Sequence, residues 1–228
     1  MNIFSKRTKH RLLRHHLILA IVCGVSTSIL YFTVQSKDEM FRWSMATGYV
    51  GIALLGATLA TGALNVLRRR RNPVSADLRR DIGIWCGIIS LIHVVIGLQV
   101  HMGSMLLYFF QEAGELKNLF PRSDLFGFAN YTGLIAVLII FLLLLLSNDA
   151  SMRRLGVKRW KFLQRWNYAL IFFVALHSIA YQIVENRQLR YLLLFAVIVG
   201  GILIIQILGF RQQNKTLRKA SNNIPGSA

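Results

Sequence analysis

Long apolar segments recur along the chain, and charged or polar residues separate them. Six of these segments are long enough to cross roughly 30 Å of hydrocarbon as an α-helix. They are found at 17–34, 44–67, 82–102, 125–147, 166–184 and 192–210. The three prolines all fall outside the segments, as expected of residues that end helices. The pattern predicts an all-α membrane protein, a six-transmembrane-helix bundle.

Composition supports the membrane class, and the local sequence decides whether the first segment is a membrane helix or a signal peptide. Of 228 residues, 54% are hydrophobic and only 16% are charged, which is too apolar for an ordinary soluble domain. A cleaved signal peptide is the alternative for the N-terminus. However, the run IVCGVSTSILYFTV lacks a convincing A-x-A site, and Val22 precedes Cys23 where a lipoprotein signal has a small residue. We therefore interpret this segment as the first membrane helix.

The net charge of +18 would ordinarily suggest nucleic-acid binding, so the positions of the charges decide the class. With the N-terminus inside, the inner segments carry 21 of the 27 basic residues, and the outer loops carry the other six together with six of the nine acidic residues. This is the positive-inside distribution, and it places both termini inside. It also favours contact with anionic lipid headgroups rather than nucleic acid.

The polar regions divide the chain into three parts. Residues 1–16 form a basic cytoplasmic N-terminus, 17–211 form the transmembrane domain, and 212–228 form a polar tail that is expected to lack regular structure. The outer segment 103–124 either extends the third helix or lies along the surface. The sequence has no G-x-G-x-x-G or Walker motif, so flavin or nicotinamide chemistry is expected to come from a separate protein.

Cys23 and Cys86 both lie inside predicted spans, so we expect them to be small packing residues rather than a disulfide or a metal site. Three of the six histidines, His10, His15 and His16, lie in the basic N-terminal stretch and are expected to be solvated or lipid-facing.

Three histidines, His93, His101 and His177, lie inside predicted spans, where an ionisable side chain is costly and indicates a function. Two of them lie deep in the membrane. His93 is 13 residues beyond Arg80 and His177 is 12 beyond Arg165, which places both roughly 18 to 20 Å from the inner rim. Both helices run outward, so the two imidazoles lie at one level. A bis-histidine heme requires two axial nitrogens on opposite faces of one flat ring. We therefore interpret His93 and His177 as axial heme ligands that bind the heme iron.

Small and apolar residues surround these histidines along their helices. Residues spaced by three and four share a helix face with His93, and they are Gly83, Cys86, Ser90 and Gly97. Phe173 and Tyr181, with Val174 and Ala180, share a face with His177. These residues are candidates for a heme lining. Close helix packing through small residues remains the alternative for the first group.

Two further interpretations concern metals and the outer rim. Zinc is the rival metal for paired histidines, but a zinc site needs three or four protein ligands, and the available carboxylates lie at the rims. His101 is eight residues beyond His93, about 12 Å farther out and some 80° around the helix. It is expected at the outer interface, where it either serves a quinone site or is simply hydrated.

Two stretches resemble the ferric reductase-like transmembrane domain family, which includes ferric reductases, NADPH oxidases and heme-binding membrane subunits of the MsrQ type. They are LRRDIGIWCGIISLIH at 78–93 and MRRLGVKRWKFLQRWNYALIFFVALH at 152–177. The resemblance covers about 44–185. It implies a six-helix fold, heme binding and an electron-transfer role in an oxidoreductase system such as ferric or sulfoxide reduction.

The chain departs from the family pattern at one ligand position. Members that bind two stacked hemes use histidines at two levels, whereas here Gln164 replaces the first histidine of the fifth-span pair. Glutamine is a poor heme ligand, so one heme b is predicted and the inner heme is in doubt. His15 or His16 is a candidate substitute ligand.

The expected function is therefore a b-type heme protein that passes electrons from a quinol or an inner-side flavoprotein to an outer-side, periplasmic redox partner. The expected location is the bacterial inner (plasma) membrane. The alternatives are a heme-free membrane scaffold or assembly factor on the same fold and, third, a transporter.

Overall fold

The computed structural model describes residues 11–68, 76–101, 103–113 and 118–222. His10 lies outside these ranges. A π-helical turn, Leu12–His16, leads into the first helix. The helices are α1 Leu17–Thr33, α2 Glu39–Leu67, α3 Ala76–Gly97, α4 Leu125–Leu146, α5 Asp149–Gln164, α6 Trp166–Val184 and α7 Leu189–Asn222. The strands are β1 Phe110–Ala113 and β2 Asn118–Pro121.

Among the described residues, six helical segments are long and apolar enough to cross a membrane. The prediction of a six-helix membrane fold is confirmed, and each predicted span overlaps one of these segments. The chain is therefore an integral, multi-pass membrane protein. The basic end of the bundle is called the inner end below, and the opposite end is called the outer end.

Two polar regions outside the predicted spans are helical. The basic segment before the fifth span forms α5, which bends at Gly156, where φ is 73°, and leads directly into α6. The last helix, α7, continues through Asn222, so the prediction of an unstructured tail from 212 onward is wrong for the part that the structure describes. Residues 223–228 of that tail lie outside the described residues.

The centre of the bundle is α2, which packs against α1, α3 and α7, while α4 packs against α6. The core is built from aliphatic side chains of these helices, such as Leu55, Ile89 and Leu170. Cys23 and Cys86 are buried in the same core as free thiols, which confirms their expected role as packing residues. The two-helix groups α2–α3 and α4–α6 supply the walls of the site described below.

A buried carboxylate organises the inner end of α3. Asp81 is fully buried and forms an ion pair with Arg11. It also lies 2.7 Å from His15 Nδ1 and 3.4 Å from His16 Nε2. A buried charge requires such partners, because burial removes its hydration. The expectation that His15 and His16 are merely solvated or lipid-facing is therefore wrong: they tie the start of α1 to α3.

The outer segment between α3 and α4 folds as a hairpin rather than as an extension of α3. β1 and β2 pair antiparallel, with Phe110 opposite Pro121. Tyr108, which is only 1% exposed, precedes the hairpin and donates from its hydroxyl to the carbonyl of Gly97 over 2.9 Å. The hydroxyl of Tyr131 donates to the carbonyl of Phe109. These bonds fasten the segment onto the outer ends of α3 and α4.

Candidate functional site

The two histidines inside the spans come together between α3 and α6. The ring centres of His93 and His177 are 6.2 Å apart, and the ring planes are inclined by 87°. A metal ion bound between two imidazoles would give a similar separation. The contributions are two metal–nitrogen bonds of about 2 Å each and the distance from each ring centre to its own nitrogen. The pairing predicted from matched depth is therefore present in the fold.

Backbone carbonyls fix the orientation of both rings. His93 Nδ1 lies 3.0 Å from the carbonyl oxygen of Ser44, and His177 Nδ1 lies 2.9 Å from that of Ala129. A carbonyl oxygen only accepts, so each Nδ1 must carry the proton and donate it. In a neutral imidazole, Nε2 then keeps its lone pair free for a metal.

Among the described residues no group of three or more His, Cys, Asp or Glu is arranged to hold a metal.

Two glycines on neighbouring helices provide the space for the rings. A Cβ added at Gly48 in α2 would lie 3.1 Å from His93 Cε1. A Cβ added at Gly133 in α4 would lie 2.7 Å from His177 Nδ1 and 3.0 Å from its Cε1. Any larger side chain at these positions would displace the imidazoles, so the glycines belong to the site as much as the histidines do.

Both histidines line one cavity of about 290 Å³, whose walls are mostly apolar. The volume is near the lower end of the range usual for small-molecule sites. The cavity continues from the histidine pair toward the outer end, where His101, Tyr108 and Arg187 line it. An apolar cavity with two convergent nitrogen donors is suited to a flat, apolar metal macrocycle.

The predicted lining residues separate into two groups. Cys86, Ser90, Gly97, Val174 and Tyr181 line the cavity. The other three predicted residues do not: Gly83 faces the methyl group of Thr58, Phe173 packs against the aliphatic core, and Ala180 is buried away from the cavity walls.

The alternative explanation, close helix packing through small residues, applies to part of the same α3 face. The Cys86 thiol lies 3.6 Å from the carbonyl oxygen of Gly51 in α2. A Cβ added at Gly51 would lie 3.4 Å from the hydroxyl of Ser90. Small residues on α3 therefore bring α2 close, and they leave space beside His93 as well.

At the outer end of the cavity, His101 contacts an acidic residue. Its Nε2 lies 2.6 Å from Glu185 Oε1, and its ring stacks on that of Tyr181 with 6.4 Å between centres. His101 is exposed as a residue, as expected of an interfacial position. Because Glu185 contacts it, the His101 ring is held at the outer end of the cavity rather than only hydrated.

At the inner end, the residue that departs from the family pattern has no hydrogen-bond partner for its side-chain nitrogen. Gln164 Nε2 is buried and unpaired. The candidate substitutes His15 and His16 bind Asp81, and neither lines the cavity that contains the histidine pair.

Several residues of the site carry little signal in the sequence. The carbonyls of Ser44 and Ala129 belong to the backbone, so their residue types do not reveal the bond. Gly48 and Gly133 are two of 17 glycines. A clue was available in their position, since each occurs in a span next to one that carries a histidine. Arg187 reads as an ordinary loop cation until the fold turns it toward the cavity.

The fold and the histidine pair define a multi-pass membrane protein with a buried site suited to redox chemistry. The family model described as ferric reductase like transmembrane component matches residues 47–176, more than half of the chain. The chain therefore belongs to the ferric reductase-like transmembrane family. Membership indicates a role in membrane electron transfer. No curated protein matches the chain.

Proposed function

We propose that His93 and His177 are the axial ligands of one b-type heme, and that the protein passes electrons across the membrane toward an outer-side acceptor. The observation that carries this proposal is the pair of imidazoles 6.2 Å apart, each with its Nδ1 held by a backbone carbonyl. Family membership supports the same role, because ferric reductase-like domains act in membrane electron transfer.

The residues of the chain hold and tune the site. A bound heme carries one electron at a time as its iron changes between the ferric and ferrous states. The carbonyls of Ser44 and Ala129 fix the ring tautomers and raise the basicity of the free nitrogens. His93 and His177 would both be bound to the iron, so direct binding of oxygen or substrate there would require loss of one of the two imidazoles.

The donor is a quinol in the membrane or a flavoprotein on the inner side. Gln164 offers no imidazole at the inner level, so electrons from the inner side must cross the inner half of the bilayer by another carrier. A lipid-soluble quinol meets this need. Oxidation of one quinol releases two electrons and two protons, and the two electrons reduce two equivalents of a one-electron acceptor. The bacterial inner membrane supplies quinol and gives access to a periplasmic redox partner.

Electron transfer across a bilayer tests this function. The vesicles contain heme-loaded protein and trapped ferricyanide, and external dithionite keeps a quinol in the membrane reduced. We expect the protein to transfer electrons to the ferricyanide and bleach it. The rate should exceed that of vesicles containing His93→Ala by roughly tenfold or more, because the variant lacks an axial nitrogen. The variant vesicles also measure the direct shuttling of quinol through lipid. Equal rates in the two preparations would contradict electron transfer and favour the scaffold.

A further inference from the structure

The outer end of the cavity contains a cation that is largely withdrawn from water. Arg187 lies in the short connection between α6 and α7 and lines the cavity. Its Nε is buried and has no hydrogen-bond partner. Burial lowers the pKa of Arg187, which means that its charge is less well stabilised than in water. A guanidinium in such a place requires an anion or several acceptors.

The backbone of the connection directs Arg187 toward the cavity. Asn186 adopts a left-handed conformation with φ of 45°, which reverses the chain after α6. The backbone N–H of Arg187 then donates to the carbonyl of Gln182 over 3.1 Å. The guanidinium lies within hydrogen-bonding reach of the hydroxyl of Tyr49, which is neutral. The position is therefore fixed by the fold and is not that of a free surface side chain.

The nearest acidic residue is committed to another partner. Glu185 lies two positions away, but its Oε1 contacts His101 at 2.6 Å. Among the described residues, Arg187 takes part in no ion pair, although Glu185 still exerts a favourable electrostatic influence on it. The protein thus leaves the positive charge of Arg187 without a contacting carboxylate.

A second polar group that lines the same cavity is also unpaired. Gln182 is only 5% exposed and lines the cavity, and its Oε1 is buried without a hydrogen-bond partner. An unpaired buried amide costs free energy, so its retention in the cavity that Arg187 lines indicates a ligand that uses it. The terminal oxygen and nitrogen of a glutamine are assigned from their neighbours, so a rotated amide presents its N–H2 group, the donor that an anionic acceptor requires.

We propose that Arg187 and Gln182 form a carboxylate-binding site at the outer end of the cavity. The planar guanidinium matches a carboxylate with two parallel hydrogen bonds, and the surrounding apolar walls strengthen the attraction. The carboxylate has two possible sources: a porphyrin side chain or a free anionic acceptor. The inference rests on the proposed heme function. It adds to that function two residues that bind a carboxylate at the outer end of the cavity.

The test compares Arg187→Gln with Arg187→Lys, which keeps the charge, and with Arg190→Gln. Arg190 is an exposed arginine three residues away that contacts the ring of Tyr191. It is therefore a matched control for loss of one positive charge. We expect all three variants to keep a heme spectrum. In Arg187→Gln alone, the ratio of ferric to ferrous heme at a fixed potential should rise about tenfold. This corresponds to a reduction potential about 59 mV lower for one electron.

Two titrations distinguish the sources of the carboxylate. The protein free of heme is titrated with heme and with its dimethyl ester, and the heme-loaded protein is titrated with citrate while the potential is followed. If the porphyrin supplies the carboxylate, the wild type binds heme about tenfold more tightly than the ester, and Arg187→Gln does not distinguish them. If the source is free, citrate shifts the potential of the wild type but not that of Arg187→Gln.

The outcome against the inference is separate from failure of the heme proposal. Equal affinities for heme and ester, no response to citrate and an unchanged potential in Arg187→Gln would overturn the carboxylate site while the wild type keeps its heme. A wild type without any heme spectrum would overturn the proposed function itself. If Arg187→Gln does not fold, Arg187→Lys still tests the site. A lysine ammonium cannot form the two parallel hydrogen bonds of a guanidinium, so this variant should prefer heme over the ester less than the wild type does.

Discussion

Replacing His177 with alanine is expected to remove the heme, lowering Soret absorbance per protein by more than about tenfold compared with the wild type. The same result is expected for His93→Ala. In the proposed site each imidazole supplies one of two nitrogen ligands, and among the described residues no group of three or more His, Cys, Asp or Glu could hold a metal instead. The measurement is the absorbance ratio of Soret band to protein after purification in detergent.

Two comparisons separate loss of a ligand from loss of the fold. His101→Ala removes an imidazole at the outer end of the same cavity and should keep the Soret band, because His101 is paired with Glu185. His177→Gly leaves room for free imidazole, and adding imidazole should restore the band. An intact spectrum in His177→Ala, or no rescue in a folded His177→Gly, would count against axial ligation by this residue.

Replacing Gly133 with alanine is the second large effect that we expect. The added methyl would lie 2.7 Å from His177 Nδ1, inside normal contact, so the ring must move away from the carbonyl of Ala129. Disturbing such a supporting contact typically costs about 10- to 100-fold in metal affinity. Alanine favours a helix over glycine by roughly 1 kcal/mol, so a weaker helix is not the cause of the loss. Heme titration of the protein free of heme measures the affinity.

Gly24→Ala is the matched control for this substitution. Gly24 lies in α1, and a Cβ added there meets nothing within 4 Å. This variant should bind heme as the wild type does. Gly48→Ala should show a smaller loss than Gly133→Ala, because its added Cβ would lie 3.1 Å from His93. Wild-type affinity in Gly133→Ala would show that the position of the His177 ring is not important for binding.

Much of the fold was predictable because hydrocarbon imposes a strict length on an apolar helix. The boundaries of α1, α4 and α6 follow the predicted spans closely. The hairpin in the outer segment was not predicted, because β1 and β2 are only four residues each and are fixed by contacts such as Tyr131 with Phe109. The helical extension of α7 beyond the predicted span was missed because its polar composition resembles a disordered tail.

The candidate site was predictable to the level of its two histidines. Equal depth on parallel helices is a one-dimensional property, and it identified His93 and His177 as a pair. Which faces meet across the bundle depends on three-dimensional packing. The sequence therefore indicated Gly83 and Phe173 as lining residues, whereas the structure turns these toward Thr58 and the core. The role of Asp81 in holding His15 and His16 also depends on contacts 66 and 65 residues apart in sequence, which no local pattern encodes.

The most direct test of the account is the heme content and visible spectrum of the purified wild-type protein. We predict one b-type heme per chain by pyridine hemochromogen assay, with a Soret band and sharp bands on reduction that carbon monoxide does not change, as expected when both axial positions are filled. Two hemes per chain would contradict the single site implied by Gln164. Colourless protein that takes up no added heme would contradict the central claim that His93 and His177 hold a heme.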